Sequence, residues 1–213
     1  KVVVDALGEL KDQCVFVGGA TTSFYIDDIA APEPNASMDV DCVVEIKTYS
    51  EYSKLQVKLR TKGFKDIDPT DEDEDIPSCR MYLAGIKVDF MSPDKQALGF
   101  TNSWYKDGLK NKEEVELLEK DKIFIFELPY FIASKLEAFN HRVKDDLRDS
   151  QDLEDLSQVL DGRVNIENEI LKFSPDVLDF VRKNFSNWLK EKELYREAIS
   201  GYLAYDSVKT KRT

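Results

Sequence analysis

The feature that most constrains the fold of this chain is a pair of glycines between an apolar segment and an acidic one. Gly18 and Gly19 directly follow the apolar run Cys14 to Val17, and the next strand-like segment opens with Asp39-Val40-Asp41. Successive side chains of a strand point to opposite faces and rise about 3.3 Å per residue, so Asp39 and Asp41 share one face about 6.6 Å apart. The sequence therefore predicts two neighbouring carboxylates near a glycine turn.

A third carboxylate is expected beside the first two. Asp89 lies in the segment Ile86 to Met91, and its apolar neighbours Val88 and Phe90 alternate with it, which allows Asp89 to join Asp39 and Asp41 from an adjacent strand. Like charges held together are costly unless they face water, bind a proton or share a divalent cation. We therefore predict that Asp39, Asp41 and Asp89 bind Mg²⁺ or Mn²⁺.

The glycine turn is also a candidate anion site. The run Ala20 to Ile26 is able to begin a helix, whose free amides, with the Gly18-Gly19 backbone and the hydroxyls of Thr21 and Thr22, would face an anion. A glycine pair alone is more often a tight turn. Its position before three aspartates favours phosphate binding.

An apolar residue, two glycines, a spacer, Asp-x-Asp and a later third Asp together resemble the nucleotidyltransferase superfamily that includes DNA polymerase beta. The resemblance implies transfer of a nucleoside monophosphate from a nucleoside triphosphate (NTP) to an acceptor hydroxyl. Asp39, Asp41 and Asp89 would be the catalytic and metal-binding residues, and the glycine turn would bind the nucleotide. One departure is the spacer from Gly19 to Asp39, whose excess length we assign to a loop over residues 27–37.

A second resemblance involves the later helical region. Lys135 and Arg142, followed by Arg148-Asp149 and Asp152-Leu-Glu-Asp155, look like a signature of the AbiEii-type nucleotidyltransferase toxins and their uncharacterised bacterial relatives. It implies that Lys135 reaches the nucleotide phosphates, that Asp152 supports the site, and that a cognate antitoxin-like protein is a partner. Without this resemblance, these charges are typical of a solvated helix face, with Asp152 and Asp155 away from the core.

The order of elements predicts an α/β (α+β) fold in which a mixed sheet is flanked by helices. We expect a nucleotidyltransferase core over residues 1–128 and a helical region over 129–213 that closes one side of the cleft. The predicted strands are Cys14 to Val17, one from Asp39, Ser78 to Leu83, Ile86 to Met91, Glu113 to Leu118 and Ile123 to Leu128. The predicted helices are Val2 to Asp12, Ser50 to Thr61, one from Pro129, one from Asp149 or Ser150 to Gly162, and one from Ser174; Ser92 to Lys112 is expected to be irregular.

Composition excludes several classes of function. The net charge of −12 argues against generic DNA binding and against adhesion to anionic membranes. No apolar run approaches the roughly 20 residues of a membrane-spanning helix. Three cysteines without paired spacing and a single histidine, His141, give poor support for disulfides or zinc, so we expect a cytoplasmic protein.

The sequence leaves the acceptor open among a tRNA, a small molecule and a protein side chain. Two other classes of function also remain. One is a catalytically silent nucleotidyltransferase fold that binds a nucleotide or a partner. The other is an interaction module in which the acidic segment Asp66 to Asp75 and the helical tail bind a cognate protein.

Overall fold

A computed structural model of the chain describes residues 1–67, 77–117, 121–142 and 146–203. Most of the acidic segment that was considered as a partner-binding loop lies outside these residues. The chain forms two compact units. The first unit comprises Lys1–Thr21 and Ala36–Glu127, and the second comprises Thr22–Asn35 and the described residues from Leu128 onward.

The first unit contains a mixed sheet, which within the described residues has six strands in the order β3-β4-β2-β1-β6-β5. The strands are β1 (Cys14–Val17), β2 (Asp39–Val44), β3 (Arg80–Leu83), β4 (Ile86–Met91), β5 (Lys112–Glu116) and β6 (Lys122–Phe126). The pairs β1·β6 and β2·β4 are parallel, and the other three are antiparallel. Helices flank this sheet, so the predicted fold class is confirmed.

Four α-helices are described in the first unit: α1 (Val2–Leu7), α2 (Tyr49–Thr61), α3 (Lys95–Leu98) and α4 (Tyr105–Lys110). The predicted first helix continues after α1 as a 3₁₀ helix, Gly8–Gln13. Helix α2 begins after Thr48, whose hydroxyl accepts a hydrogen bond from the Glu51 amide while the Glu51 carboxylate accepts one from the Thr48 amide.

The prediction that Ser92 to Lys112 is irregular is wrong, because α3 and α4 lie within it. Helix α3 begins at an Asp94 side chain that accepts a hydrogen bond from the Gln96 amide. Helix α4 contains Gly108, where a Cβ would lie 2.7 Å from the ring of Phe126. Gly108 therefore allows close packing against β6, although in the sequence it suggests a break in a helix.

The second unit contains five described α-helices: α5 (Leu128–Arg142), α6 (Gln151–Gly162), α7 (Ile166–Ile170), α8 (Pro175–Trp188) and α9 (Lys192–Tyr202). Of the two residues considered as the cap of α6, it is Ser150 whose hydroxyl accepts a hydrogen bond from an amide of the first turn, that of Leu153. For the helix from Pro129, an apolar stripe is predicted by the three- to four-residue spacing of Ile132, Leu136, Phe139, Val143 and Leu147. Ile132, Leu136 and Phe139 are buried in α5, Leu147 is buried beyond its end, and Val143 lies outside the described residues.

For the helix from Ser174, the spacing of Leu178, Val181, Phe185 and Leu189 predicts an apolar stripe, and the buried face of α8 differs from it. Val177, Val181, Asn184 and Trp188 are buried, whereas Leu189 is 69% exposed. Asn184 is satisfied inside the unit, since its side-chain oxygen accepts a hydrogen bond from Asn140 at 2.8 Å and its amide donates to the Phe180 carbonyl at 2.9 Å. Because Asn184 is polar, the sequence pattern does not place it on the buried face of α8, although its hydrogen bonds allow it to be buried there.

The segment Thr22–Asn35 is attached to α6 of the same unit. The backbone amides of Asp27 and Asp28 both donate to the Gly162 carbonyl, at 3.1 and 2.9 Å. The side-chain amide of Asn35 donates to the Glu154 carboxylate. The ring centroids of Tyr25 and Phe131 lie 4.2 Å apart. The long spacer between the glycines and β2 is therefore largely part of the helical unit.

The described helices contain no stretch with both the length and the apolar character that crossing a bilayer requires.

Candidate functional site

The strand register places Asp41, Asp89 and Arg80 in one row across β2, β4 and β3. Asp41 is the partner of Asp89 in the parallel pair β2·β4, and Asp89 is the partner of Arg80 in the antiparallel pair β3·β4. Paired residues on adjacent strands project to the same face of a sheet. Asp39, two residues before Asp41, belongs to the same face. The three predicted aspartates therefore lie on one face of the sheet.

Gly18 is packed directly against Asp41. It follows β1 with a φ of 74°, and a Cβ at this position would lie 2.1 Å from Asp41 Oδ2. A left-handed backbone and this close approach together explain why glycine is needed here. The Asp41 carboxylate is thus held at the end of β1, beside the turn that the sequence analysis assigned to phosphate binding.

The two predicted phosphate-binding threonines are both buried, and both hydroxyls donate within the protein. Thr21 Oγ1 donates to the Gly18 carbonyl at 2.8 Å, which closes the turn around the glycine pair. Thr22 Oγ1 donates to Asp155 Oδ1 at 3.0 Å in the second unit. Gly19 begins a 3₁₀ helix, Gly19–Tyr25, where the sequence suggested a helix from Ala20. Both hydroxyls therefore form hydrogen bonds that stabilise the glycine turn and the 3₁₀ helix that follows it.

The third aspartate forms a two-pronged ion pair with Arg80. Arg80 Nε donates to Asp89 Oδ1 at 2.8 Å, and Arg80 Nη2 donates to Asp89 Oδ2 at 2.7 Å. This hydrogen bonding, followed by the negative charges of Asp89 and Asp39, raises the pKa of Arg80 despite the opposing effect of burial. In the sequence, the position of Arg80 near the start of a predicted hairpin is compatible both with phosphate binding and with balancing nearby acids, and this structure shows the second.

The donor set suits magnesium only in part. Within the part of the chain that the structure describes, no three His, Cys, Asp or Glu side chains are grouped closely enough to hold a metal ion. Magnesium is commonly held by one or two carboxylates together with substrate phosphates, a requirement that Asp39 and Asp41 meet chemically. Both carboxylate oxygens of Asp89 instead accept hydrogen bonds from the Arg80 guanidinium. The fit is therefore to a site with two carboxylates that a nucleotide would complete.

Buried thiols lie next to this row but are poor metal ligands. Burial, with the charges of Asp89 and Asp41, raises the pKa of the Cys79 thiol to about 12. Burial also raises the pKa of Cys42, which follows Asp41 on β2. A thiol binds metal as its thiolate, so Cys42 and Cys79 are expected to remain protonated packing residues.

Lys135 and Asp152 meet in a buried ion cluster of the second unit. Lys135 Nζ lies 3.0 Å from Asp152 Oδ1 and 2.5 Å from Asp155 Oδ2, and Arg142 Nη1 donates to Asp152 Oδ2 at 3.2 Å. Lys135 and Asp152 are only 8% and 4% exposed. Burial alone would lower the pKa of Lys135, but the charges of Asp155 and Asp152 outweigh it, and the pKa is raised.

The expectation of a solvated charged face, with Asp152 turned away from the core, is wrong for Lys135 and Asp152. Helices α5 and α6 pack together, and the facing charges neutralise each other within that contact. Asp155, the other strong partner of Lys135, was not predicted as a site residue. Its three-residue spacing from Asp152, which puts both on one side of a helix, is the sequence signal that points to it.

Comparison with known proteins supports the fold. No family model matches the chain, and no curated protein matches it. Among solved structures, the chain is similar to an antigenic nucleotidyltransferase-like protein from Paracoccidioides brasiliensis, with a TM-score of 0.52 and 17% sequence identity. The match covers 96% of this chain and 92% of the other. At this identity the likeness shows a nucleotidyltransferase-like fold.

Substitution of Gly18 by alanine should displace the Asp41 carboxylate. Gly18→Ala adds a methyl group where Asp41 Oδ2 lies and strains a left-handed backbone, so we expect weaker Mn²⁺ binding and a loss of stability of about 1 to 2 kcal/mol. Gly99→Ala is the matched control, because Gly99 has a φ of 85° and nothing within 4 Å of its Cβ position. Equal Mn²⁺ affinity of the two variants, measured by titration, would contradict the proposed contact.

Removal of the Lys135 ammonium should destabilise the protein strongly. Lys135→Ala leaves the carboxylates of Asp152 and Asp155 without their buried cation, and breaking such a pair costs about 3 to 5 kcal/mol. Lys172→Ala, at an exposed position, should change stability by less than about 0.5 kcal/mol. Urea denaturation followed by circular dichroism compares them, and similar midpoints would rule out the buried pair.

Proposed function

We propose that this protein is a magnesium-dependent nucleotidyltransferase, which moves a nucleoside monophosphate from an NTP to an acceptor hydroxyl. The observation that carries the proposal is the position of Asp41, which packs against Gly18 on one side and pairs in register with Asp89 on the other. Carboxylates held beside a glycine turn at the end of a strand suit a metal-bound triphosphate, and the nucleotidyltransferase-like fold supports this interpretation.

In this proposal the carboxylates and the glycine turn have separate tasks. Asp39 and Asp41 hold the cation, the backbone of Gly18 and Gly19 approaches the phosphates, and Asp89 is the third carboxylate of the site. A bound magnesium ion neutralises the charge that develops on the phosphate oxygens. The acceptor oxygen bonds to the α-phosphorus, its proton passes to a base or to water, and the bond to the β-phosphate oxygen breaks to release pyrophosphate.

In the structure Lys135 and Asp152 form an ion pair with each other. The nucleotide-binding role that the family resemblance implies for them stays a prediction. The resemblance to AbiEii-type toxins similarly supports, as part of the proposal, an antitoxin-like partner. The three cysteines without paired spacing support a cytoplasmic location. A tRNA end, a small molecule and a protein side chain all carry hydroxyls that this chemistry accepts.

A second candidate function is a nucleotide-binding module without turnover. The observation that favours it is the ion pair between Arg80 and Asp89, which engages both oxygens of the third carboxylate. A protein in which this pair persists would bind a magnesium nucleotide through Asp39 and Asp41 but would lack the full catalytic set.

Loss of the Asp41 charge should abolish transfer. Asp41→Asn keeps the shape of the side chain but removes a metal ligand worth several kcal/mol in the transition state, so we expect kcat/KM to fall more than about a hundredfold. Incubation with α-labelled NTPs, Mg²⁺ and separate pools of tRNA, small molecules and protein identifies the labelled acceptor. Asp107→Asn, which alters an exposed aspartate of the same unit, should retain activity.

Two results distinguish the candidate functions. Nucleotide binding that requires Asp41, without label transferred to any pool, would favour the silent module. Transfer that is unaffected by Asp41→Asn would refute the enzyme proposal, because the reaction would then use another site.

A further inference from the structure

We propose that Arg80 gates the metal site: it holds Asp89 as an internal counter-ion in the nucleotide-free protein and passes to the triphosphate when a nucleotide binds. This inference rests on the proposed function and adds a regulatory residue to it. In the nucleotide-free protein the cation would meet Asp39 and Asp41 only, and Asp89 would become a ligand after the nucleotide has bound.

The first argument is the balance of charge along the row. Asp41 and Asp89 face each other across adjacent parallel strands, which lie about 4.8 Å apart, and Asp39 adds a third negative charge nearby. Arg80 adds a positive charge to this row and is paired directly with Asp89. A divalent cation at Asp89 would lie against the guanidinium, and the two positive charges would repel each other.

The second argument is the geometry of the pair. Both carboxylate oxygens of Asp89 accept hydrogen bonds from Arg80 in a two-pronged arrangement. The metal and the guanidinium would therefore compete for the same two oxygens.

The third argument concerns which partner is able to move. The Arg80 side chain is 17% exposed and the Asp89 side chain 9%, so the guanidinium has the outer position. An arginine fork binds phosphate as well as carboxylate, and its side chain is long, whereas that of aspartate is short and fixed to its strand. An arriving triphosphate offers Arg80 an equivalent partner and releases Asp89 toward the cation.

It follows that nucleotide and metal bind with positive coupling that passes through Arg80. Couplings of this kind typically change affinity by 5- to 150-fold, and they are reciprocal. A permanent structural pair, in contrast, would leave Asp89 outside the metal site in every state.

The test measures Mn²⁺ affinity without nucleotide, by electron paramagnetic resonance of the free ion. Four proteins are compared: wild type, Arg80→Gln, Asp89→Asn and the double variant. We expect Arg80→Gln to bind Mn²⁺ at least about tenfold more tightly, because Asp89 then becomes a ligand. Asp89→Asn alone should match wild type, and the double variant should lose the gain of Arg80→Gln.

Arg60→Gln is the matched control, since Arg60 forms the same two-pronged pair with Asp66 at an exposed position of the same unit. It should leave Mn²⁺ affinity unchanged. Circular dichroism checks the folding of every variant. If Arg80→Gln fails to fold, Arg80→Lys keeps the charge without the fork, and a smaller gain in Mn²⁺ affinity is expected from it.

A second measurement examines the other half of the exchange. Without metal, a non-hydrolysable triphosphate should bind Arg80→Gln about tenfold more weakly than wild type, because a charge-assisted phosphate contact is lost.

Three outcomes overturn the inference: unchanged Mn²⁺ affinity in the Arg80 variants, weaker Mn²⁺ binding in Asp89→Asn alone, or unchanged triphosphate binding in Arg80→Gln. In each of these cases the proposed enzyme survives if Asp41→Asn still abolishes nucleotide transfer. Absence of Mn²⁺ binding in wild type and in all variants, even with the triphosphate present, would refute both the gate and the metal-dependent function.

Discussion

The site depends on a conflict of like charges that the sheet itself creates. Parallel pairing of β2 with β4 brings Asp41 and Asp89 into register on one face, where their mutual repulsion favours a nearby cation. Arg80 offsets this repulsion from the next strand, in the same row. The register of three strands thus determines both where negative charge accumulates and which residue neutralises it.

Much of the sheet was predictable because its signals are local. The bounds of β1 and β4 agree with the sequence prediction. The β1 strand is a short apolar run that ends at Gly18, and in β4 apolar residues alternate with Lys87 and Asp89. Ala84-Gly85, between the two predicted strands, indicates the turn that joins β3 and β4, and both residues have a positive φ. Helix α8 shows where local signals fail: Asn184 is buried because a partner on another helix satisfies it, and no local pattern reveals that partner.

The candidate site was predictable to the level of residue type and shared face, and less so in its pairings. Alternation placed the three aspartates together, but no spacing in the sequence indicated that Asp89 faces Arg80 across a hairpin with both oxygens engaged. Lys135 shows the same limit. Its position on α5 suggested solvent, whereas the packing of α5 on α6 buries it between two carboxylates. Ion pairs between elements depend on tertiary contacts, which periodicity does not encode.

The discontinuity of the second unit has a consequence for the order of folding. Thr22–Asn35 leaves the ribosome well before α6, yet the amides of Asp27 and Asp28 depend on the carbonyl of Gly162. The contact between Val164 and Asp27 spans 137 positions, so the entropy of closing that loop is lost before the contact forms. The helical unit therefore cannot be completed before α6 has been synthesised, and no single cut in the chain separates the two units.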